Sequence, residues 1–182
     1  MAEEKTDKQH DRPRRARRDS RSTPEEKEFD QRIIDLARVT RVMAGGKRMR
    51  FRACVVVGDK KGRLGWGLGK GADVTLAVQK AANRARRDLI AAPIVKGTIP
   101  HELRIKVKAA RILIKPAPKG TGVVAGGAVR LALELSGIDN IVAKIYGSKN
   151  KINNIRALFA ALEKLNESLH KHAAFLQKKP SS

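Results

Sequence analysis

The stretch RVMAGGKRMRFRACVVVGDKKGRLGWGLGKG, residues Arg41 to Gly71, mixes arginine, lysine, glycine and strand-forming residues more densely than any other part of the chain. From Lys47 to Ala53 the residues alternate. On a strand, Arg48, Arg50 and Arg52 would share one face, and Met49, Phe51 and Ala53 the other. One face is then cationic and the other apolar. Cys54 to Val57 reads as a fully buried continuation, ended by the turn signal Gly58-Asp59-Lys60-Lys61-Gly62. In the strand that follows, Gly65, Gly67, Gly69 and Gly71 fall on one face, and Leu64, Trp66, Leu68 and Lys70 on the other. The glycines leave a smooth face that another backbone can approach closely. Upstream, Ala44-Gly45-Gly46 forms the tip of a hairpin whose arms carry Arg41, Lys47 and Arg48. This is the chemistry of binding, not of catalysis, although a solvated basic face would be ordinary for one isolated strand.

Composition narrows the partner. The 182 residues carry 40 Lys+Arg against 18 Asp+Glu, a formal net charge of +22 that exceeds what solubility needs. A polyanion is expected, with RNA or DNA ranking above an acidic membrane. Aromatic residues make up only 3% of the chain, which favours contact through backbone phosphates over base stacking. The single cysteine, Cys54, lies in an apolar strand and is expected to pack in a reducing compartment. His10, His101, His170 and His172 are scattered, so no metal or other cofactor is expected. No apolar run reaches the ~18 residues of a membrane span, and the charged N-terminus does not read as a secretory signal.

Charge by segment locates the site. Residues 1–28 hold nine basic and eight acidic residues with almost nothing apolar, so this tail is expected to be disordered, with Arg14 to Arg18 an optional basic arm. Nearly all the excess positive charge therefore sits in the folded part, 16 basic and 5 acidic residues from Phe29 to Ile99, and 15 and 5 from Pro100 onward. The first unit, 29–96, is predicted as three strands and one helix. Asp73 caps a helix running to about Ala91 and stopped by Pro93. Val74, Ala77, Val78, Ala81, Ala85 and Leu89 form its apolar stripe, and Lys80, Arg84 and Arg87 a separate basic ridge. This layout resembles a double-stranded-RNA-binding fold lacking its first helix.

The second unit, 97–166, is predicted as strand, strand, helix, strand, helix. Leu103, Ile105 and Val107 alternate with Arg104, Lys106 and Lys108, and a second strand covers Arg111 to Lys115. A glycine-rich turn from Lys119 leads into a helix closing at Gly137, then comes a strand from Asn140 to Tyr146. Ser148 or Asn150 caps the last helix, whose apolar face is Ile152, Ile155, Leu158, Phe159, Leu162 and Leu165. Residues 167–182 are expected to be partly helical and then disordered. The fold class is α+β with two small α/β domains.

Five motifs, GDKKGRLGWGLGKG (Gly58–Gly71), KGTIPHE (Lys96–Glu102), GTGVVAGGAVR (Gly120–Arg130), AKIYGSKN (Ala143–Asn150) and INNIRAL (Ile152–Leu158), stand in the order and spacing of the bacterial small ribosomal subunit protein five family. The resemblance covers about Phe29 to Leu165. It implies a cytoplasmic, ribosome-bound structural component that binds small-subunit ribosomal RNA, touches small-subunit proteins four and eight, and lies near the messenger RNA entry path. It also implies roles in the head-body arrangement and in translational accuracy. The hairpin loop linked in the family to spectinomycin response maps onto Val42 to Arg48. The interface with protein four maps onto Gly120, Gly122 and Arg130, with Gly122 and Arg130 at the family's fidelity positions. This chain has Ala44 where the family usually has lysine, Lys47 for a usual arginine, Ala109-Ala110 at a turn that commonly contains glycine, and Lys151 for a usual proline.

The expected RNA-binding set is Arg41, Gly45, Gly46, Lys47, Arg48, Arg50, Arg52, Arg63, Lys70, Lys80, Arg84 and Arg87. An enzyme is not expected. GKG at Gly69 to Gly71 lacks the spacing and hydroxyl of a nucleotide P-loop. GTGVVAGGA before a helix could cradle a phosphate, but no carboxylate pair or nucleophile-base set accompanies it. A non-ribosomal architectural or chaperone-like RNA binder is the alternative.

Overall fold

The computed structural model describes residues 29–177. The tail and its Arg14–Arg18 arm lie outside the described residues, as does the chain beyond 177. In the first half, β1 (Asp30–Met43) and β2 (Gly46–Gly58) make a long antiparallel hairpin, followed by β3 (Arg63–Gly71), α1 (Val74–Arg87) and β4 (Leu89–Ala91). The sheet order is β1-β2-β3-β4. Asp73 caps α1, accepting from the Val74 N–H at 2.7 Å and the Thr75 hydroxyl at 2.6 Å. These bonds hold its carboxyl below the usual range.

Two expectations are corrected here. The helix ends at Arg87, not near Ala91, and the sheet has four strands, not three. Asp88 leaves helical geometry (φ −108°, ψ 58°), and Leu89–Ala91 pair antiparallel with Gly65–Arg63. Leu89 follows Ala85 at helical spacing, so it continued the apolar stripe on paper; in the fold it supplies one edge of β3 with hydrogen-bond partners.

The second half contains β5 (Leu103–Val107), β6 (Ala110–Pro116), β7 (Val123–Val124), α2 (Gly127–Ser136), β8 (Ile141–Tyr146) and α3 (Lys151–Gln177). Its sheet runs β5-β6-β8-β7, antiparallel except for the β7–β8 pair. Strand β7 is a further correction, because a two-residue strand inside a glycine-rich turn leaves no periodicity to read. Helix α2 closes at Gly137, which takes the left-handed φ of 79°. Asn150, not Ser148, caps α3, its Oδ1 accepting from the Ile152 N–H at 3.0 Å. Ser148 Oγ in turn accepts from the Asn150 N–H at 3.1 Å.

The layers stack as α1, first sheet, α2 with α3, second sheet. Ala53, Val55 and Val57 pack on Ala77, Ala81 and Ala85 of α1. On the other face, Cys54, Val56 and Leu64 join a larger core with Leu133, Phe159 and Ile112. The run Cys54–Val57 is thus buried from both sides, and burial pushes the Cys54 thiol up to about 11.

The glycine face of β3 is approached closely by another backbone, and that backbone belongs to this chain. A Cβ at Gly65, Gly67 or Gly69 would fall on the carbonyl oxygen of Ala85, Ala81 or Ala77, so the backbone that approaches is that of α1. The seam between the halves is polar at its rim. The β2–β3 turn donates Lys60 N–H to Leu135 O (3.0 Å) and Gly62 N–H to Ser136 O (2.9 Å), satisfying carbonyls that the end of α2 leaves without helical partners. Asp35 pairs with Arg52 at 3.4 Å and with Lys151 at 3.3 Å, tying β1 and β2 to the start of α3. That ion pair gives Lys151 a partner at a helix end whose dipole disfavours cations.

Candidate nucleic-acid interface

Every residue from Thr40 to Arg50 is exposed, so the distal hairpin projects beyond the core. The expected apolar face of β2 is therefore only half realised: Met49 is 53% exposed, Phe51 half-buried and Ala53 buried. Gly45, at the tip, has a φ of 85°, and nothing lies within 4 Å of a Cβ built there. The tip is narrow and open.

The register sets the charges. Arg41 lies directly opposite Arg48, Val39 opposite Arg50, and Arg52 opposite Lys70. Side chains directly opposed across strands share a face with Cβ atoms about 5 Å apart, where like charges repel. Asp35 relieves Arg52. An anion from outside would relieve Arg41, Arg48 and Arg50, which line one recess together with Lys70.

Lys70 also borders a second groove, with Lys80, Arg84 and Arg87 on the exposed side of α1. Strand β4 pairs only as far as Gly65, so the β3 edge beyond it turns its backbone toward this groove. Arg84 continues into a recess where the Arg156 guanidinium sits 5.4 Å from the centre of the Trp66 ring. Trp66 in turn packs edge-on against Phe159 at 6.2 Å. The structure thus brings Arg41, Arg48, Arg50, Lys70, Lys80, Arg84 and Arg87 onto one connected surface, with Gly45, Gly46 and Lys47 at the projecting end.

Arg52 and Arg63 stand apart. Arg63 binds Asp59 at 2.7 Å and lies 5.2 Å from the centre of the Phe29 ring. Burial raises the Asp59 carboxyl, but hydrogen bonds from the Arg63 side chain and from the backbone N–H groups of Lys61 and Arg63 outweigh it and hold the group below its usual range. Both arginines brace the fold.

Gly120 (φ 92°) and Gly122 (φ 71°) form an open turn after β6. Asn140 was not singled out in the sequence, yet it holds this turn, its Oδ1 accepting from the Gly120 N–H at 2.9 Å and the Gly122 N–H at 3.2 Å. Thr98 donates to the Asn140 carbonyl at 2.6 Å, which gives the KGTIPHE motif its structural use. Arg130 is on the exposed face of α2 and pairs with Glu134 at 2.8 Å. Among the described residues no group of His, Cys, Asp and Glu gathers as metal ligands, and no helix is long and apolar enough to cross a membrane.

Two family models match the chain: ribosomal protein S5, N-terminal domain, over residues 29–93, and ribosomal protein S5, C-terminal domain, over residues 105–174. The chain belongs to the ribosomal protein S5 family. It is 50% identical over 141 residues to the Mycoplasma mobile protein named small ribosomal subunit protein uS5, covering 77% of this chain and 58% of that relative. The relatives of the same name from Chloroflexus aurantiacus and Thermus thermophilus are 44% identical over 154 residues and 48% over 140. These matches cover 85% and 77% of this chain, and 86% of each relative. As in the S5 family models, one sheet-and-helix unit precedes another, and the cationic surface above belongs to the first.

Proposed function

We propose that the chain is a structural, non-catalytic component of the small ribosomal subunit in the cytoplasm. Residues 29–96 serve as its RNA-facing unit and 97–166 as its partner-facing unit. The observation that carries this reading is the cross-strand register, which sets Arg41 against Arg48 beside Arg50 and Lys70 on a projecting hairpin. Phosphates neutralise such a surface, and each contact releases counterions, so binding weakens steeply with salt. The hairpin enters folded ribosomal RNA tip first, and the groove along α1 holds a second length of backbone. The open turn at Gly120 and Gly122, with Arg130, faces small-subunit protein four. The proposed role includes contacts to protein eight, proximity to the messenger entry path, support of the head-body arrangement and a contribution to accuracy, a reading that family membership supports.

The test is Arg48→Gln with Arg50→Gln in the full chain, measured against small-subunit ribosomal RNA across a salt series. Loss of two phosphate contacts lowers the log–log salt slope by about 1.8, which is about tenfold between 50 and 200 mM salt. An unchanged slope removes the hairpin from the interface. Failure of the native protein to sediment with small subunits would instead favour the architectural RNA binder.

A further inference from the structure

The hairpin that carries the cations also carries two of the three methionines of the chain, Met43 and Met49. Both are exposed, at 45% and 53%. A methionine ordinarily fills gaps between apolar neighbours in a core, and neither of these has a core to fill. The register sets Met43 opposite Gly46 and Met49 opposite Thr40. Gly46 has no side chain, so nothing directly across the ladder covers the Met43 thioether. Alternation puts Met43 on the face of Val39, Arg41, Arg48 and Arg50, and all five line one recess with Lys70. Met49 falls on the opposite face. From Leu36 to Gly58 the chain contains no Asp or Glu, so the hairpin supplies no carboxylate to these arginines beyond Asp35, which pairs with Arg52. The thiol of the chain is shielded by comparison: Cys54 is 1% exposed, and burial raises its pKa to about 11, which keeps the reactive thiolate scarce.

We propose that Met43 is a modification site, where a peroxide converts the thioether to the sulfoxide and so weakens the grip of the hairpin on RNA. The proposal rests on the reading that the hairpin binds ribosomal RNA. With hydrogen peroxide, the sulfur lone pair attacks one oxygen, and the S–O bond forms as the O–O bond breaks. Sulfur gives up two electrons. The departing hydroxide takes the proton left on the transferred oxygen, so the products are the sulfoxide and water. A flexible apolar side chain has become a polar one. Its new oxygen accepts hydrogen bonds in a recess full of donors. Arg41 is about 7 Å away along the same strand and Arg48 lies on the cross-strand diagonal, both within reach of long side chains. Guanidinium N–H groups engaged by the sulfoxide are lost to phosphate. The net charge does not change, so what is lost is directed hydrogen bonding, not long-range attraction.

Access gives the modification its direction. The tip of the free chain is open, and RNA seated on the recess covers the thioether. Oxidation therefore acts on the chain before it binds and holds it out of assembly. Methionine sulfoxide reductases return the sulfoxide to the thioether, so the block is reversible.

The test treats the full chain, Met43→Leu and Met49→Leu with hydrogen peroxide; both substitutions nearly conserve side-chain volume. Peptide mass spectrometry reads the oxidised positions, and each treated protein is compared with its own untreated sample for binding to small-subunit ribosomal RNA. Met43 and Met49 should each gain one oxygen in the free chain, and bound RNA should protect Met43. Affinity should fall about tenfold in the wild type and in Met49→Leu, as for one lost charge-assisted hydrogen bond, and should hold in Met43→Leu. Reductase treatment should restore the wild type. Met43 that stays unoxidised while free methionine reacts would overturn the proposal, as would an equal loss of affinity in Met43→Leu. Unchanged binding by the oxidised wild type, with weakened binding by Arg48→Gln/Arg50→Gln, would overturn it and leave the hairpin reading standing. No effect from either oxidation or the arginine variant would overturn both.

Discussion

Gly67→Ala adds one methyl group at the closest approach of β3 to α1. The new Cβ would fall on the carbonyl oxygen of Ala81 and lie 2.8 Å from the backbone nitrogen of Ala85. Both are helix backbone, so neither can swing aside as a side chain would. To restore ordinary contact the helix must lift by about 1 Å, and a gap of that size forfeits much of the dispersion energy along Ala77, Ala81 and Ala85. Overpacking of this kind costs about 1 to 3 kcal/mol. In a chain of this size a 2 kcal/mol loss lowers Tm by roughly 4 to 8 °C. Gly127→Ala is the matched control, since Gly127 is the first residue of α2 and has nothing within 4 Å of its Cβ position. Alanine there should be neutral or stabilising by up to about 1 kcal/mol. Thermal and urea unfolding of the pair measures the difference. If Gly67→Ala melts within about 1 °C of wild type, the close strand–helix contact is wrong.

Three further outcomes are expected. Asn140→Ala should cost about 1 to 3 kcal/mol in urea unfolding, because two backbone N–H groups lose their acceptor, while Asn140→Asp should recover most of it; equal stability of all three would remove Asn140 as the brace of the Gly120–Gly122 turn. Asp59→Asn should also cost about 1 to 3 kcal/mol near pH 7. The folded Asp59 carboxyl is held below its ordinary 3.8, so its contribution is present above that value and lost as pH falls below it. The gap between wild type and Asp59→Asn should therefore narrow in acid, and a gap that stays constant down to pH 2 would refute the assignment. Lys108 occupies left-handed backbone (φ 55°) in the β5–β6 turn. Lys108→Gly should raise stability by about 1 kcal/mol, and a lower Tm would contradict the strain argument.

Strand alternation, the Asp73 cap, the glycine stop of α2 and the apolar face of α3 were legible in the sequence because each depends on residues close together along the chain. The connected cationic surface was legible in composition and period, since charge on alternate residues can only fall on one side of a strand. Three features were not. Leu89 fits a helix and a strand equally, and only the free edge of β3 decides between them. The glycines of β3 announce a close approach, but whether RNA or α1 makes it depends on which way that face is turned. Arg50 and Arg52 look alike in the sequence; Asp35, seventeen residues from Arg52, sits beside one and not the other.

The sequence by itself determined a strongly cationic α+β chain, and its charge is the ground for proposing a polyanion as partner, because net charge and short-range periodicity need no partner to be read. The tertiary structure decided which cations have carboxylate partners within the chain. It spent Arg52 and Arg63 on carboxylates and closed the glycine face with α1. Those assignments depend on contacts between residues far apart in the chain, which arise only when the layers pack.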